Sequence, residues 1–216
     1  METEAKFVLP GARPLHKFRD ADSLCGYTLG PGRVQRVRDA YLDAPGRPLL
    51  AAGWALRQRE TLAQVTYTLK GLGGVQGATH RREEIDLALP EALPPVAWPD
   101  SPLRARVLAL AGQAPLMPLF LLLQRRTQRP IITGDRLIAE MSLDAVRVTA
   151  GGQRQSYYEL EIELAPAGSE ADLSRLVACL EGQHGLASQP TTKFERALAL
   201  VAYPYSPTSS AAPTCP

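Results

Sequence analysis

The residues with the clearest chemical potential are carboxylates and basic side chains that recur at every second position. Carboxylates alternate in this way at Glu159, Glu161 and Glu163, and basic side chains do so at Arg57 and Arg59. Alternate side chains of a β-strand share one face, so each set would project from a single face of its strand. Carboxylate oxygens are hard ligands suited to divalent cations, and guanidinium groups bind phosphate oxygens in pairs. Together the two sets indicate a site for a metal–polyphosphate complex.

The same alternation places other polar side chains on shared strand faces. These sets are Glu2, Glu4 and Lys6; Thr66, Thr68 and Lys70; Arg82, Glu84 and Asp86; and Glu140, Ser142 and Asp144. One interpretation is that each set is the solvated face of a half-buried sheet. The bias of single strands to one sign of charge favours a second interpretation, because neighbouring carboxylates repel one another unless cations neutralise them. A pocket lined by both signs is therefore predicted.

Eight segments show the period-two pattern of strands, and Gly, Pro and Asp clusters separate them. The strands are predicted at 2–9, 33–43, 52–60, 64–71, 80–89, 120–128, 136–148 and 156–164. Helices are predicted at 20–29, 101–113, 170–185 and 191–202, the second opening with Ser101 as N-cap and Pro102 as first residue. Many strands and few helices favour an antiparallel sheet or barrel with helices packed on its apolar outer side.

Composition limits the classes of protein to consider. The 216 residues fit one domain, expected at 1–203, followed by a Pro/Ser/Thr/Ala-rich tail at 204–216 that is expected to be disordered. A net charge of +2 gives no general nucleic-acid signature, and no apolar run is long enough to span a bilayer. Three distant cysteines, Cys25, Cys179 and Cys215, suggest reduced thiols rather than a disulfide framework. A cytoplasmic, bacterial protein is expected, with neither a nucleic-acid nor a membrane partner.

The chain resembles the CYTH superfamily of triphosphate tunnel metalloenzymes. The resemblance begins with the ExExK string formed by Glu2-Thr3-Glu4-Ala5-Lys6. Further family-like blocks follow in order: RDAYLDAP (38–45), LLAAGWALRQR (49–59), YTLKG (67–71), HRREEID (80–86), LQRRT (123–127), SLDAVRV (142–148), YELEIEL (158–164) and TTKFERAL (191–198). Asp86 stands where the family more often has Glu.

The resemblance implies an α+β fold, a closed eight-stranded antiparallel β-barrel forming a tunnel, with a coat of helices and a C-terminal closing helix. It implies Mg²⁺ or Mn²⁺ as cofactor, with metal-side residues Glu2, Glu4, Asp144, Glu159, Glu161 and Glu163. It implies phosphate-side residues Lys6, Arg38, Arg57, Arg59, Lys70, Arg82 and either Arg125 or Arg126, since the register of that strand is open. Glu2, Glu4 and Glu161, with Lys193 from the closing helix, are the expected catalytic residues.

The expected activity is metal-dependent hydrolysis of inorganic triphosphate to phosphate and pyrophosphate, by a monomer or homodimer. Thiamine triphosphate hydrolysis and cyclisation of ATP to cyclic AMP are alternatives that keep the tunnel but need a stacking wall for the organic group. Trp54 and Trp98 are the main candidates for that wall, and core packing explains Trp54 better because it lies beside Ala55 on the apolar side of its strand or at a turn. A non-catalytic polyphosphate- or nucleotide-binding module is a further alternative, against which the intact acidic set argues.

Overall fold

The computed structural model describes the backbone of residues 2–72, 75–76 and 79–202, and their side chains except at 2, 75–76, 79–82 and 202. In chain order the elements are β1 (Glu2–Leu9), α1 (Ala12–Asp20), β2 (Ser23–Leu24), β3 (Tyr27–Leu29), β4 (Arg33–Asp43), α2 (Pro48–Ala51), β5 (Trp54–Glu60), β6 (Val65–Gly71), β7 (Val75–Gln76), β8 (Thr79–Arg82), β9 (Glu84–Leu89), a 3-10 helix (Pro95–Ala97), α3 (Pro102–Ala111), β10 (Met117–Thr133), β11 (Arg136–Ala150), β12 (Gln153–Leu164), α4 (Glu170–Gly182), β13 (Ala187–Ser188) and α5 (Lys193–Ala202).

The thirteen strands of the described residues belong to one antiparallel sheet with the order β7-β8-β1-β12-β11-β10-β4-β5-β6-β9, to which β13 adds at β1 and the β2–β3 hairpin at β10. The prediction of a closed eight-stranded barrel is wrong, because no ladder among the described residues joins β9 to the other end of the sheet. The predicted strand at 80–89 is divided at Glu83: β8 pairs with β1, whereas β9 pairs with β6. The sheet is therefore open.

The eight predicted strand segments each contain a strand, and three of the four predicted helices are confirmed. The Ser101 hydroxyl accepts a hydrogen bond from Arg104 N (3.2 Å), as expected of an N-cap. The helix predicted at 20–29 is wrong. Cys25 (φ 54°) and Gly26 (φ 85°) form a two-residue turn with positive φ at both positions, which closes the β2–β3 hairpin. The helix lies earlier, at α1.

Helices cover much of the apolar outer side of the sheet. One core packs α1 and α4 against outward-facing residues such as Phe7 and Leu160, and a second packs α3 against Leu56 and Leu69. The coat is only partial, since Leu123 on the outer face of β10 remains 49% exposed. The polar residues of the same strands consequently project to the opposite, inner side.

Cys25 and Cys179 form a disulfide between the hairpin turn and α4, with a sequence separation of 154. The expectation of reduced thiols is wrong for this pair. Sequence spacing could not show it, because the two residues meet only when the hairpin packs on α4. Cys215 and the tail predicted at 204–216 lie outside the described residues. Within the described part of the chain, no helix has the length and apolar character needed to cross a membrane.

Candidate active site

The inner side of the sheet surrounds a central cavity of about 490 Å³. Its walls come from β1, β4, β5, β6, β9, β10 and β12 and from the start of α5. The charged lining residues are Glu4, Lys6, Asp39, Arg57, Arg59, Lys70, Glu84, Asp86, Arg126, Glu161, Glu163 and Lys193. Among the described residues the lining thus contains six carboxylates and six cations. The sheet is curved, since strands from distant parts of its order line the same space.

Strand register brings the acidic side of the cavity together. In the β1–β12 ladder Glu4 lies opposite Glu163 and Lys6 lies opposite Glu161. The period-two alternation points all four side chains inward, while Ala5 and the apolar residues between the carboxylates enter the outer core. Glu4 lies 2.7 Å from Lys6 Nζ, and both side chains are buried. The strand register therefore gathers the carboxylates of Glu4, Glu161 and Glu163 on one side of the cavity, with Lys6 among them.

Lys193, the first residue of α5, joins three of these carboxylates. Its Nζ donates to Glu161 Oε1 (2.6 Å) and Glu159 Oε1 (3.1 Å), and lies 3.0 Å from Asp144 Oδ2. All four side chains are buried. Burial opposes the charge, but the carboxylates outweigh it and raise the pKa of Lys193 well above its ordinary value. The closing helix thus supplies an ammonium group to the acidic cluster.

The carboxylates around Lys193 differ in their protonation behaviour. Burial disfavours ionisation of Glu161, but Lys193, Lys6 and Arg126 hold its pKa well below the usual range. Burial, with repulsion from Glu161, raises the pKa of Glu159 to about 7 in spite of Lys193. Neighbouring carboxyl groups with pKa values moved in opposite directions are typical of functional sites.

Arg126 links the acidic side of the cavity to its basic side. Its guanidinium donates to both carboxylate oxygens of Asp144 (2.8 and 2.6 Å) and to Glu161 Oε2 (2.7 Å). These carboxylates outweigh burial and raise the pKa of Arg126. The open register is thereby decided: Arg126 points into the cavity, whereas Arg125 is exposed on the opposite face of β10.

On the basic side, Arg59 forms a two-point ion pair with Asp39, both distances being 2.8 Å. Gln124 Nε2 donates to the same carboxylate at 2.6 Å. Arg57 donates to Thr68 Oγ1 (3.1 Å), and its Nε is buried without a hydrogen-bond partner in the described structure. This N–H, in a residue that lines the cavity, is suited to a ligand oxygen.

The structure brings most of the sequence-predicted residues into this site. Glu4, Lys6, Arg57, Arg59, Lys70, Arg126, Glu161, Glu163 and Lys193 line the cavity, while Asp144 and Glu159 contact Lys193 from behind it. Lys70 is paired with Glu84. The side chains of Glu2 and Arg82 lie outside the described residues, although the backbone of Glu2 pairs with that of Arg82.

Two predicted phosphate ligands do not reach the cavity. Arg38 pairs with Glu60 (2.7 Å) on the outer face, where its side chain is 45% exposed. Its neighbour Asp39 points inward, and alternation therefore turns Arg38 outward. Arg125 points outward for the same reason beside Arg126. The substrate-binding role expected of Arg38 and Arg125 is corrected accordingly.

Sequence reasoning missed several polar groups that support the site. Asp39 and Gln124 orient Arg59, and Arg196 donates to Glu159 Oε2 at 2.9 Å. The Arg196 guanidinium also lies 3.4 Å from the centroid of the Tyr157 ring. The spacing between Lys193 and Arg196 was the available signal, because residues three apart share a helix face.

Comparison with solved structures identifies relatives of the same fold. A candidate adenylyl cyclase from Hippeastrum, described as having a dominant triphosphatase activity, matches with a TM-score of 0.66 at 19% identity, covering 94% of this chain and 95% of that chain. A candidate adenylate cyclase from Bacillus halodurans gives 0.61 at 20% identity, with 91% and 96% coverage. A protein from Pyrococcus horikoshii OT3 gives 0.57 at 16% identity, with 92% and 99% coverage.

At these identities the solved structures establish similarity of fold alone. The family is assigned from the sequence. The family model of the CYTH domain matches residues 1–198, which include every described strand and the first six of the ten residues of the closing helix. The chain therefore belongs to the CYTH family.

Proposed function

We propose that this protein is a metal-dependent phosphoanhydride hydrolase that cleaves inorganic triphosphate to phosphate and pyrophosphate in the central cavity. The observation behind the proposal is that six carboxylates and six cations of the described residues line one cavity. A cavity with this balance is poorly matched to a bare polyanion, which the carboxylates repel. It is well matched to a polyanion partly neutralised by divalent cations.

The acidic side of the cavity fits a hard divalent cation. Glu4, Glu161 and Glu163 offer oxygen ligands of the kind that Mg²⁺ and Mn²⁺ prefer, with Asp144 and Glu159 adjoining. Glu2 is included in this set from its place in the strand. Bound there, Mg²⁺ or Mn²⁺ would supply Lewis acidity, neutralising phosphate oxygens and making a water molecule easier to deprotonate.

The basic side fits the phosphate chain. Arg57, with its unpartnered Nε, and Arg59, held by Asp39, offer guanidinium edges, and Lys70 adds an ammonium group. In phosphoryl transfer negative charge spreads over the equatorial oxygens, so fixed cations placed around them lower the barrier. The ion pairs hold these groups in position before the substrate arrives, which reduces the reorganisation needed during reaction.

An organic triphosphate is the second candidate substrate. Trp54 and Trp98 do not line the cavity, and Trp98 is instead buried in the outer core against Tyr67. Tyr41 and Phe194 do line it, but they are buried and pack on each other with centroids 5.2 Å apart. These two residues supply an aromatic wall at one part of the cavity. Because their rings pack on each other, little ring surface is left for stacking on an organic group. Inorganic triphosphate is therefore favoured over an organic triphosphate as the substrate.

The test is phosphate release from inorganic triphosphate, ATP and thiamine triphosphate, each with Mg²⁺, Mn²⁺ or EDTA. Cyclic AMP formation is measured in the ATP reactions. Metal-dependent release mainly from inorganic triphosphate supports the proposal. Preference for an organic triphosphate, or formation of cyclic AMP, would show that inorganic triphosphate is not the main substrate and would identify the organic triphosphate instead. Tight triphosphate binding without turnover under any condition would identify a binding module.

A further inference from the structure

A second group of potential metal ligands lies where the β2–β3 hairpin meets α4. The ligand atoms of Cys25, Cys179 and His184 all lie within 4.8 Å of one another. None of the three lines the central cavity, and all are half-buried, so small solutes reach them. The proposed triphosphate chemistry makes no use of this group.

Each ligand has a defined place in the fold. Cys25 is the first residue of the two-residue hairpin turn, where its φ of 54° is unusual for a residue other than glycine. Cys179 lies in the last turn of α4. His184 follows the end of α4, and its backbone N–H donates to the carbonyl of Cys179 at 3.3 Å. The backbone therefore places all three residues at the junction of the hairpin and α4.

The disulfide is not the sole link between the hairpin and α4. Tyr27, directly after the turn, donates from its hydroxyl to Asp172 Oδ1 in the first turn of α4 at 3.0 Å. Leu24, directly before the turn, is buried in the same core as Leu176 and Leu180. None of these contacts involves a sulfur atom, so we expect them to be kept when the disulfide is reduced. Reduction thus leaves two thiols facing each other beside an imidazole.

Two thiolates and an imidazole are the ligand types of zinc sites. Tetrahedral Zn²⁺ binds sulfur at about 2.3 Å and nitrogen at about 2.0–2.1 Å, which places ligand atoms within 4 Å of each other. The ring of Phe18, 5.2 Å from that of His184, fixes its orientation.

We propose that Cys25, Cys179 and His184 of the reduced protein bind a thiophilic divalent cation such as Zn²⁺, and that disulfide formation closes this site. One tetrahedral position remains for water. The site differs in kind from the carboxylate cluster of the cavity, because soft thiolates select Zn²⁺ whereas oxygen ligands suit Mg²⁺. The two sites therefore bind different ions independently.

Oxidation and release are linked by simple chemistry. The two metal-bound thiolates lose two electrons in total and form one S–S bond, and the divalent ion is released. Hydrogen peroxide accepts the two electrons with two protons from solvent and becomes two molecules of water, or a low-molecular-weight disulfide accepts them with two protons and becomes two thiols. The resulting protein disulfide has no thiolate with which to hold the ion, so the ion leaves. Reduction by a thiol restores the site.

The test uses the full chain, reduced, treated with chelator and titrated with Co²⁺ in the absence of oxygen. Co²⁺ reports thiolate ligation through a sulfur-to-cobalt charge-transfer band, which carboxylate ligation in the cavity does not produce. One equivalent is expected to give the band in wild type, in Cys215→Ser and in Glu4→Gln. Cys25→Ser and Cys179→Ser are expected to lose it. His184→Ala is expected to bind Co²⁺ at least about 10-fold more weakly than wild type does. In wild type, added Zn²⁺ is expected to displace the bound Co²⁺ and abolish the band.

Several outcomes would overturn the proposal. One is the absence of the band in reduced wild-type protein whose thiols are shown to be free by titration. Others are a band that survives in both Cys25→Ser and Cys179→Ser, a band lost in Cys215→Ser, or an equal band in the oxidised protein. Using both single cysteine variants keeps the test valid if either one folds poorly. Loss of triphosphatase activity has no bearing on these readouts.

Discussion

Lys193 Nζ lies 2.6 Å from Glu161 Oε1, so a helix of the chain places its own cation inside the acidic cluster that we assign to divalent metal. Asp144 and Glu159 complete the surroundings of the ammonium group. Buried ionised carboxylates repel each other, so the ammonium group of this lysine stabilises the cluster when no metal ion is bound. In the proposed function, Lys193 and a bound metal ion would therefore share these carboxylate oxygens.

Replacing this lysine is expected to destabilise the protein and to increase its response to metal. In Lys193→Met the carboxylates lose their ammonium partner, and breaking such a buried pair costs about 3–5 kcal/mol of unfolding free energy. Mg²⁺ should then raise the melting temperature of the variant more than that of wild type. Differential scanning calorimetry with and without Mg²⁺ measures both effects. An equal Mg²⁺ shift in the two proteins would show that lysine and metal do not share these oxygens.

Glu4→Gln is expected to remove metal-dependent turnover while leaving the fold intact. The change keeps the shape of a buried side chain but removes one negatively charged ligand oxygen, so phosphate release should fall by at least about 100-fold. Glu60→Gln is the matched control, since Glu60 pairs with Arg38 on the outer face. Circular dichroism checks the fold of both. Near-wild-type turnover in Glu4→Gln would contradict its metal role.

Arg126 and Arg125 form a matched pair, adjacent in sequence but on opposite faces of β10. Arg126→Lys keeps the charge but loses the two-point contact with Asp144, so kcat/KM for inorganic triphosphate should fall roughly 100-fold. Arg125→Lys should change it by less than about 2-fold, because Arg125 is exposed on the outer face. Similar losses in both variants would mean that the assigned register is wrong.

The Asp39–Arg59 ion pair should make the free energy of unfolding depend on pH in the acid range. Burial opposes ionisation of Asp39, but Arg59 lowers its pKa below the ordinary value of 3.8. The stabilisation is therefore fully present above pH 3.8 and is lost as the pH falls through the lower folded pKa. Asp39→Asn should be less stable than wild type at neutral pH, by about 3 kcal/mol. The difference should shrink in acid, as measured by urea unfolding. A difference independent of pH would exclude the ion pair as its cause.

Reducing the Cys25–Cys179 disulfide without adding metal should lower stability. A cross-link between residues 154 apart in sequence restricts the unfolded chain, and loop-closure entropy puts its contribution at up to about 5 kcal/mol. Urea unfolding with and without a phosphine reductant measures the loss. The Cys25→Ser/Cys179→Ser double variant should not respond to the reductant. If wild type is equally unresponsive, the two cysteines are not joined in solution.

The sequence by itself determined which side chains share a strand face. The period of two puts Glu159, Glu161 and Glu163 together, and likewise Arg57 and Arg59, because successive residues of a strand point to opposite sides. Those local patterns also located eight strand segments and three helices, but they missed the short strands β2, β3, β7 and β13. They identified most of the cavity lining, since the polar face of each strand was legible without knowledge of its neighbours.

Only the tertiary structure decided which strands are neighbours and which face turns inward. Alternation could not choose between Arg125 and Arg126, because that depends on the register with β11. It could not show that Asp39 holds Arg59, or that Cys25 meets Cys179 across 154 residues. The break at Glu83 that leaves the sheet open is likewise a matter of pairing between distant segments. Local periodicity fixes faces, whereas packing over long sequence separations fixes partners, and the chemistry of this site depends on partners.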